Sequence, residues 1–249
     1  MKFVKHFTIR QPECGLDLRL SFSSLLNMMQ DVAAEHSVIL KVSILDLFRQ
    51  GLTWMLSRYH LSIVRYPSYM EKVIIKTWPS SCEGSFTLRE YIMESETGDI
   101  LARMTSSFVV YDMKAKNIVK VEDHLPLVDS LVKERAIDDK FPSLLLPKNI
   151  DHSQEIRIRK HDIDINRHVN NVSIIEIGIE SVPIEILLAY DLVDAQITFK
   201  GQSFYGDTLL SQCEVIPEDD EFRILHHVIN KNDKRSILKM QTNWAKKAR

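Results

Sequence analysis

The sequence repeats itself once, and this repeat limits the folds that the chain can adopt. In the first part of each copy, a shift of 149 residues superimposes chemically similar pairs: Ile9-Arg10 on Ile158-Arg159, and Leu25-Leu26 on Ile174-Ile175. Further along, a shift of 136 residues aligns longer segments: Leu61–Ile63 with Ile197–Phe199, and Leu101–Met104 with Ile237–Met240. Self-similarity over most of a chain indicates two copies of one structural unit.

Hydrophobic periodicity predicts the same order of elements in each copy: a strand, a helix, and then a series of strands. In the first copy the predicted elements are a strand over 3–11, a helix over 25–36 capped by Ser21 or Ser23, a short helix over 43–50, and strands over 52–65, 72–81, 85–94 and 100–111. In the second copy they are a strand over 154–160, helices over 172–181 and 183–190, and strands over 194–203, 208–215, 221–230 and 236–244.

A helix followed by an antiparallel meander predicts an α+β fold in which each sheet packs on its own helix. We therefore expect an N-terminal domain over residues 1–125, a proline-containing linker over 126–152 and a C-terminal domain over 153–249. At 249 residues, the chain is long enough to bury a sizeable core.

Composition excludes several classes of function. The formal net charge of −2 argues against nucleic-acid binding, and no apolar run approaches the roughly 20 residues of a membrane span. Three separated cysteines, Cys14, Cys82 and Cys213, predict a reducing compartment without structural disulfides. The N-terminal residues alternate like a strand and not like a signal peptide, so we expect a cytoplasmic protein. Without a glycine-rich phosphate loop or a His/Cys cluster, we expect neither a metal nor an organic cofactor.

The stretch 162–171, Asp-Ile-Asp-Ile-Asn-Arg-His-Val-Asn-Asn, carries the polar groups best suited to chemistry. Its polar side chains recur at every second residue, and side chains two apart share one face of an extended strand. We therefore expect a strand that presents four polar side chains together: Asp162, Asp164, Asn166 and His168.

An apolar segment, Val172–Ser181, follows and predicts a buried helix capped by Asn170 or Asn171. The start of a helix offers unpaired N–H groups and partial positive charge, which can hold the oxyanion of a reacting carbonyl. A histidine next to such a site, here His168, can transfer protons near neutral pH.

A polar run before a helix is also typical of a loop that only caps the helix, with His168 bonded to the backbone. The repeat separates these interpretations, because a run needed only for folding should occur in both copies. The first copy has the same predicted strand and helix around this position but lacks the polar set. The positions of Asp164, Asn166 and His168 are occupied there by Gly15, Asp17 and Arg19. This difference favours a functional site in the second copy.

The same stretch resembles the D-x-D-x-N-x-H-V-N-N motif of the acyl-acyl carrier protein (acyl-ACP) thioesterases. Four further segments resemble pieces of that family in the right order: Leu52–Arg58, Arg65–Pro67, Thr77–Trp78 and Glu180–Ile186. The resemblance spans nearly the whole chain. It implies a tandem (double) hotdog fold, in which each half is an antiparallel sheet wrapped on a central helix.

The resemblance implies hydrolysis of a fatty acyl thioester on the phosphopantetheine arm of acyl carrier protein, which ends fatty acid synthesis. It assigns Asn166 to the thioester carbonyl, His168 to proton exchange, and Asp164 to the support of both. Plant members have a Glu-Cys pair where this chain has Gln202-Ser203. Neutral Gln202 can orient a water molecule but cannot act as a base, so the base would be His168 or Asp164.

Ser203 has no nucleophile elbow around it, so we expect direct attack by water. The resemblance places the acyl-chain pocket in the first half, with Met28 and Trp54 as candidate substrate-binding residues, and we add Asn170 beside the site. Met28 and Trp54 are equally typical of ordinary core packing, without any contact with a substrate. A basic cluster could meet the acidic carrier or its phosphate, or form a solvated face: Arg157, Arg159, Lys160 and Arg167.

Three other functions stay open. The first is the same chemistry on acyl-CoA. The second is a hotdog hydratase, which adds water across an enoyl thioester, although the hydratase motif usually has Pro where Arg167 stands. The third is a non-catalytic acyl-binding module, which the neutral Gln202 allows. We expect acyl carrier protein as the partner, no nucleic acid, and either a monomer or a homodimer, because two hotdogs in one chain can complete the paired unit.

Overall fold

A computed structural model describes residues 1–125 and 127–247. The chain divides into two compact units, Met1–Lys140 and Phe141–Arg249, each with a series of antiparallel strands and a central helix. The domain boundaries at residues 125 and 153 stay a prediction, and positions 126, 248 and 249 lie outside the described residues. In the part of the chain that the structure describes, no helix is both long and apolar enough to cross a bilayer.

In the first unit, a long helix precedes the main strands of the sheet. Ser21 caps this helix, α1 (Phe22–Ile39), by accepting a hydrogen bond from the amide of Ser24. The other elements are β1 (Phe3–Thr8), α2 (Ile44–Phe48), β2 (Leu52–Ile63), β3 (Lys72–Glu83), β4 (Phe86–Ser95), β5 (Ile100–Asp112) and β6 (Asn117–Val119). Hydrogen bonding orders the strands β1-β3-β4-β5-β2, and β6 also pairs with β5.

The second unit repeats this plan. Its elements are β7 (His152–Arg157), α3 (Asn171–Ile179), α4 (Ile184–Ala189), β8 (Tyr190–Phe199), β9 (Thr208–Glu218), β10 (Glu221–Asn230) and β11 (Ser236–Lys246). The strand order β7-β9-β10-β11-β8 corresponds to β1-β3-β4-β5-β2, and the neighbouring strands are antiparallel. Each unit therefore has the predicted α+β organisation.

The repeat extends to individual backbone hydrogen bonds. Three bonds of the first unit have counterparts at the predicted shifts: Ser21 N to Glu13 O (2.9 Å) and Asn170 N to Asp162 O (2.8 Å); Leu20 N to Pro67 O (2.8 Å) and Val169 N to Ser203 O (2.9 Å); Val64 N to Leu101 O (2.8 Å) and Lys200 N to Ile237 O (2.8 Å). Because the geometry repeats along with the residue types, chemical differences between equivalent positions can be compared directly.

Each helix buries an apolar face on its own sheet. The buried residues include Leu25, Leu26, Met29 and Val32 of α1, and Val172, Ile174, Ile175 and Ile177 of α3. The backbone of α3 lies so close to β11 that a Cβ at Gly178 would stand 3.1 Å from side-chain atoms of Leu238 and Met240. This close approach explains a glycine inside a helix, where it otherwise costs about 1 kcal/mol relative to alanine.

A buried polar network fixes the chain that follows β6. The Glu90 carboxylate on β4 is 0% exposed and accepts hydrogen bonds from Ser80 Oγ (2.6 Å), Arg135 Nε (2.8 Å) and Ala136 N (3.0 Å). A buried carboxylate needs such partners, because burial without them removes its hydration at a large energetic cost. Residues 135 and 136, which fall inside the predicted linker, therefore lie against the first sheet.

One strand near the polar stretch ends earlier than its residue pattern predicts. β8 ends at Phe199, whereas the alternation predicted a strand to Ser203. After Phe199 the next two amides both approach one acceptor, Ile237 O, at 2.8 and 3.4 Å, so the regular ladder stops there. The chain continues as a loop over residues 200–207.

Candidate active site

The polar stretch forms a tight loop, and the predicted extended strand through it is wrong. The loop covers residues 163–169, and its ends, Ile163 and Val169, form an isolated antiparallel bridge. Between them, Asp164 N donates a hydrogen bond to His168 O at 2.8 Å. The chain therefore reverses direction inside the segment that the alternation predicted to be straight. We call this segment the polar loop.

The Asp164 side chain stabilises the turn through two backbone amides. Its Oδ1 accepts hydrogen bonds from Asn166 N (2.8 Å) and His168 N (3.3 Å). An aspartate that binds the amide two residues further on competes with strand pairing for that amide. The turn also places Arg167 at a φ of +64°, in the left-handed region that regular strands do not use.

The polar loop brings together the three residues that the sequence singled out. Asn166 is exposed, and its Nδ2 lies 3.4 Å from Asp164 Oδ2, at the long limit of a hydrogen bond. His168 is half-buried, and its imidazole makes an edge contact with the Phe204 ring, with 5.2 Å between ring centroids and 76° between planes. Such aromatic contacts stabilise a ring orientation.

The loop over residues 200–207, which we call the supporting loop, lies beside the polar loop. Val169 N donates to Ser203 O at 2.9 Å and joins the two loops. The supporting loop also lies tightly on β11, because a Cβ at Gly201 would stand only 2.9 Å from Ser236 O. Only glycine fits there without a backbone shift.

Gln202 and Ser203 differ in their environments within the supporting loop. The Gln202 side chain is exposed and makes no hydrogen bond to any residue that the structure describes. Ser203 is 1% exposed, and its Oγ has no hydrogen-bond partner among the described residues. A serine nucleophile needs a base within hydrogen-bond reach. The geometry therefore gives Ser203 no nucleophilic role.

Asn170 caps α3, which confirms one of the two predicted caps. Its Oδ1 accepts a hydrogen bond from Val172 N at 2.7 Å, and its backbone oxygen accepts from Ile174 N at 3.0 Å. The cap uses the side-chain oxygen only, so the Nδ2 group keeps its donors. The helix start, with its partial positive charge, follows directly after the polar loop.

Asp162 has a structural role instead of lining a face with the other three. It is 3% exposed and accepts hydrogen bonds from Arg159 N (2.7 Å) and Arg159 Nη2 (2.9 Å). Burial alone raises the pKa of this carboxyl, but the hydrogen bonds from Arg159 outweigh burial and hold the pKa below its usual range. In the first unit Arg10 N donates to Glu13 Oε2 at 2.8 Å, so the same pair belongs to both copies of the fold.

Met28 and Trp54 lie in the first unit. Met28 is 6% exposed on the buried face of α1. Trp54 on β2 is partly buried, donates from Nε1 to the Val42 carbonyl at 2.8 Å, and meets the edge of the Phe108 ring at 6.1 Å between centroids. These are contacts of core packing, and the assignment of both residues to an acyl pocket stays a prediction.

Phe204 is the site residue that sequence reasoning missed. The shift of 136 aligns it with Ser68, so an aromatic side chain occurs here only in the copy with His168. That difference was an available signal. No residue pattern, however, shows that the Phe204 ring touches the imidazole.

A cavity in the second unit lies apart from the polar loop, and the described residues form no metal-binding cluster. A cavity of about 410 Å³ opens at the far end of α3, at Ile179, between β7 and α4, and the predicted site residues do not line it. Among residues 1–125 and 127–247, no group of three or more His, Cys, Asp or Glu side chains is arranged to hold a metal ion.

Family models match both halves of the chain. The model for the acyl-ACP thioesterase N-terminal domain matches residues 1–126, and the model for the C-terminal domain matches residues 147–246. The chain belongs to the acyl-ACP thioesterase family. The resemblance first seen in the polar stretch is thereby confirmed over almost the whole sequence of this family member.

Relatives in plants match the chain along most of its length. An acyl-[acyl-carrier-protein] hydrolase of Cuphea viscosissima is 25% identical over 259 residues, which covers 98% of this chain and 63% of the relative. A palmitoyl-acyl carrier protein thioesterase of Cuphea hookeriana is 26% identical, with 98% of this chain and 62% of the relative covered. This family member therefore spans less than two thirds of the length of these relatives.

A solved structure supports the fold. The 12:0-ACP thioesterase from Umbellularia californica matches with a TM-score of 0.89 at 22% identity, covering 99% of this chain and 94% of that chain. The predicted double hotdog fold of this thioesterase family member is confirmed.

Proposed function

We propose that this chain hydrolyses fatty acyl-ACP thioesters to free fatty acid and acyl carrier protein, the reaction that ends fatty acid synthesis. The main support is the difference between the two copies of one loop. The same backbone hydrogen bond closes both loops, from Gly15 N to Arg19 O and from Asp164 N to His168 O, each at 2.8 Å. The backbones of the two loops therefore agree. The second copy alone carries the set Asp164, Asn166 and His168. The fold does not require these side chains, and thioester chemistry gives each of them a use.

In the proposed mechanism, water attacks the thioester carbonyl directly. Asn166 Nδ2 and the amides at the start of α3 stabilise the carbonyl oxygen as it becomes an oxyanion. His168 accepts the proton of the attacking water and returns a proton to the thiolate as the carbon–sulfur bond breaks. Asp164 keeps the polar loop turned, and Gln202 orients the water by hydrogen bonding.

The two domains are proposed to divide substrate binding and chemistry. Residues 1–125 would hold the acyl chain, with Met28 and Trp54 among the contacts, and residues 153–249 would hold the reacting thioester. Asn170 is proposed to bind the thioester-bearing part of the substrate, because its Nδ2 donors are not used by the helix cap.

The alternatives differ in how well the backbone supports them. Hydrolysis of acyl-CoA would use the same groups, and a non-catalytic acyl-binding module stays compatible with the neutral Gln202. The hydratase alternative loses support at Arg167, where hydratases usually have Pro. The φ of +64° at this position is closed to proline, whose ring fixes φ at about −65°.

The compartment that we propose is the cytoplasm. Cys14, Cys82 and Cys213 are all unpaired in the structure, and a reducing compartment keeps thiols in that state. The partner in this proposal is an acyl carrier protein that delivers the thioester, and the assembly is a monomer or a homodimer.

Release of free thiol from acyl-ACP and acyl-CoA substrates of matched chain length tests the proposal. We expect turnover on acyl-ACP, and a fall of roughly 10²- to 10⁴-fold in His168→Ala, the range for loss of a general acid–base group. His161→Ala is the matched control, because His161 is an exposed histidine of the same unit.

Each outcome of this experiment separates two functions. Turnover on acyl-CoA alone would keep the chemistry and replace the partner. With an enoyl thioester as an additional substrate, formation of a 3-hydroxyacyl product, measured by mass spectrometry, would identify a hydratase. A folded wild-type protein that cleaves no thioester would contradict hydrolysis and favour the binding module.

A further inference from the structure

Among the residues that the structure describes, most exposed arginines pair with a carboxylate, but two in the second unit do not. Carboxylate oxygens lie 2.5–3.7 Å from the guanidinium groups of five of them: Arg10, Arg49, Arg65, Arg159 and Arg235. Within the described ranges, Arg157 and Arg167 are exposed and have no carboxylate partner. Solvation alone accounts for many such residues, so the position of each arginine has to decide whether it has a ligand.

Arg167 occupies a position that the fold does not reserve for a cation. Its counterpart in the first unit is Leu18, with a φ of +57° and 60% exposure. Both residues are in the left-handed region, which glycine adopts freely and other residues adopt at a cost of about 1 kcal/mol. The turn therefore forms with an apolar side chain as well as with a cation. The cation occurs in the copy that carries His168.

The polar loop supplies no anion to Arg167. Asp164, the acid of this loop, directs its Oδ1 to two backbone amides. In the equivalent loop of the first unit, Asp17 pairs with Arg19 at 2.6 Å, but neutral Asn166 takes the place of that acid in the second unit. A guanidinium next to the proposed reacting groups thus stays available for an anion that the chain does not provide.

We propose that Arg167 binds the phosphate of the phosphopantetheine arm that carries the acyl group. This inference rests on the proposed thioesterase function. Arg167 directly precedes His168, so their Cα atoms are about 3.8 Å apart. The arm extends on the order of 15 Å from thioester to phosphate, by the spacing of an extended covalent chain. An arginine side chain reaches roughly 7 Å from its Cα, so Arg167 meets the phosphate of an arm that bends over the polar loop and not of an arm that runs straight away from it. Its planar donors can bind two phosphate oxygens at once.

Two small thioesters that differ by one phosphate test the proposal: acyl-4′-phosphopantetheine and acyl-pantetheine. The measured quantity is the ratio of their kcat/KM values. We expect Arg167→Gln to lower this ratio about tenfold through KM, which corresponds to about 1.4 kcal/mol of binding free energy. Arg167→Lys keeps the charge but not the paired donors, so its ratio should lie between those of wild type and Arg167→Gln.

Arg49→Gln is the matched control, because it removes the same charge from an exposed arginine that has no proposed role in binding. We expect the wild-type ratio in this variant. An unchanged ratio in Arg167→Gln, or an equal fall in Arg49→Gln, would overturn the proposal. A loss confined to acyl-ACP and absent with acyl-4′-phosphopantetheine would also overturn it, since Arg167 would then meet carboxylates of the carrier protein.

A binding measurement keeps this proposal separate from the proposed function. Dissociation constants of 4′-phosphopantetheine and pantetheine, from NMR titration of the full chain, give the same comparison without turnover. If the wild type cleaves no thioester but prefers the phosphorylated ligand through Arg167, the proposed function fails and the phosphate contact stands. If neither variant nor wild type distinguishes the two ligands, the phosphate contact is refuted.

Discussion

Asp164 holds two backbone amides of the polar loop with one carboxylate oxygen, so removing its side chain and removing its charge are different experiments. Oδ1 accepts from Asn166 N and His168 N, and Oδ2 lies 3.4 Å from Asn166 Nδ2. Asparagine keeps a side-chain oxygen that can accept the amide bonds, whereas alanine keeps none. The shape of the loop and the charge beside the proposed carbonyl-binding group can therefore be tested one at a time.

We expect Asp164→Ala to lower the free energy of unfolding by about 1–2 kcal/mol, because two amides lose their acceptor. The free energy of unfolding of Asp164→Asn should lie within about 0.5 kcal/mol of the wild-type value, because only the charge is removed. This variant should still lose turnover. Urea unfolding and thiol release on the same samples measure both quantities. Equal destabilisation by the two substitutions would show that the side-chain oxygen does not shape the loop.

The sequence singled out these residues but did not predict their geometry. Ser21 and Asn170 were predictable as caps, because a cap depends on one side chain and an amide two or three residues away. The polar loop was not, because its alternation has the period of a strand, while the bonds from Asp164 that turn it have no periodic signature. The contact of Phe204 with His168 joins two separate loops and leaves no local signal at all.

At the scale of elements, a buried chain of hydrogen bonds fixes α3 to its sheet. Trp244 Nε1 donates to Thr242 Oγ1 (2.7 Å), the Thr242 hydroxyl donates to His226 Nε2 (2.8 Å), and His226 Nδ1 donates to Gly178 O (3.0 Å). A carbonyl oxygen can only accept a hydrogen bond, so the contact with Gly178 O places a proton on Nδ1. Burial keeps the imidazole neutral, because it lowers the pKa of His226 from 6.5 to about 4.

The lowered pKa of His226 predicts acid sensitivity. The unfolded chain binds this proton more tightly, so the stabilisation is complete above pH 6.5 and is lost as the pH falls towards about 4. The whole difference corresponds to roughly 3 kcal/mol. Urea unfolding at a series of pH values in this window measures the slope, which should be shallower by up to one proton in His226→Gln.

Another buried histidine, His36, contributes to the same pH dependence. Burial also lowers the pKa of His36 in α1 to about 4, so part of the slope should persist when His226 is replaced. If His226→Gln has the wild-type slope, the buried imidazole is not a source of the acid sensitivity.

At the scale of the whole molecule, the two units contain one loop in two chemical versions. Where Asp164 Oδ1 binds the amides of the second loop, Asp17 Oδ1 in the first accepts from Arg19 N at 3.1 Å. Each loop thus has an aspartate that can stabilise the turn. Asp17 is equivalent to Asn166, so it lies two residues further along its loop than Asp164 does. The residues of the first loop, placed in the second loop, should therefore preserve its backbone and remove the side chains of the proposed chemistry.

We expect a second unit with the residues of the first to fold and to be inactive. The combined variant is Asp164→Gly, Asn166→Asp and His168→Arg. Its free energy of unfolding should stay within about 1 kcal/mol of wild type, because the introduced aspartate can accept the amide bond that Asp17 accepts. Thiol release should fall by roughly 10²-fold or more, because the proton carrier and the carbonyl-binding amide are both gone.

The reverse exchange in the first unit is the control: Gly15→Asp, Asp17→Asn and Arg19→His. Its turnover should match that of wild type, because those positions have no part in the proposed chemistry. If the combined variant of the second unit unfolds, the polar set is required for folding, and the difference between the copies no longer supports catalysis. If it folds and keeps its turnover, the reaction takes place elsewhere in the chain. Loss of turnover in both exchanges would mean that the two loops act through one shared property of the fold, and the division of roles between the units would have to be abandoned.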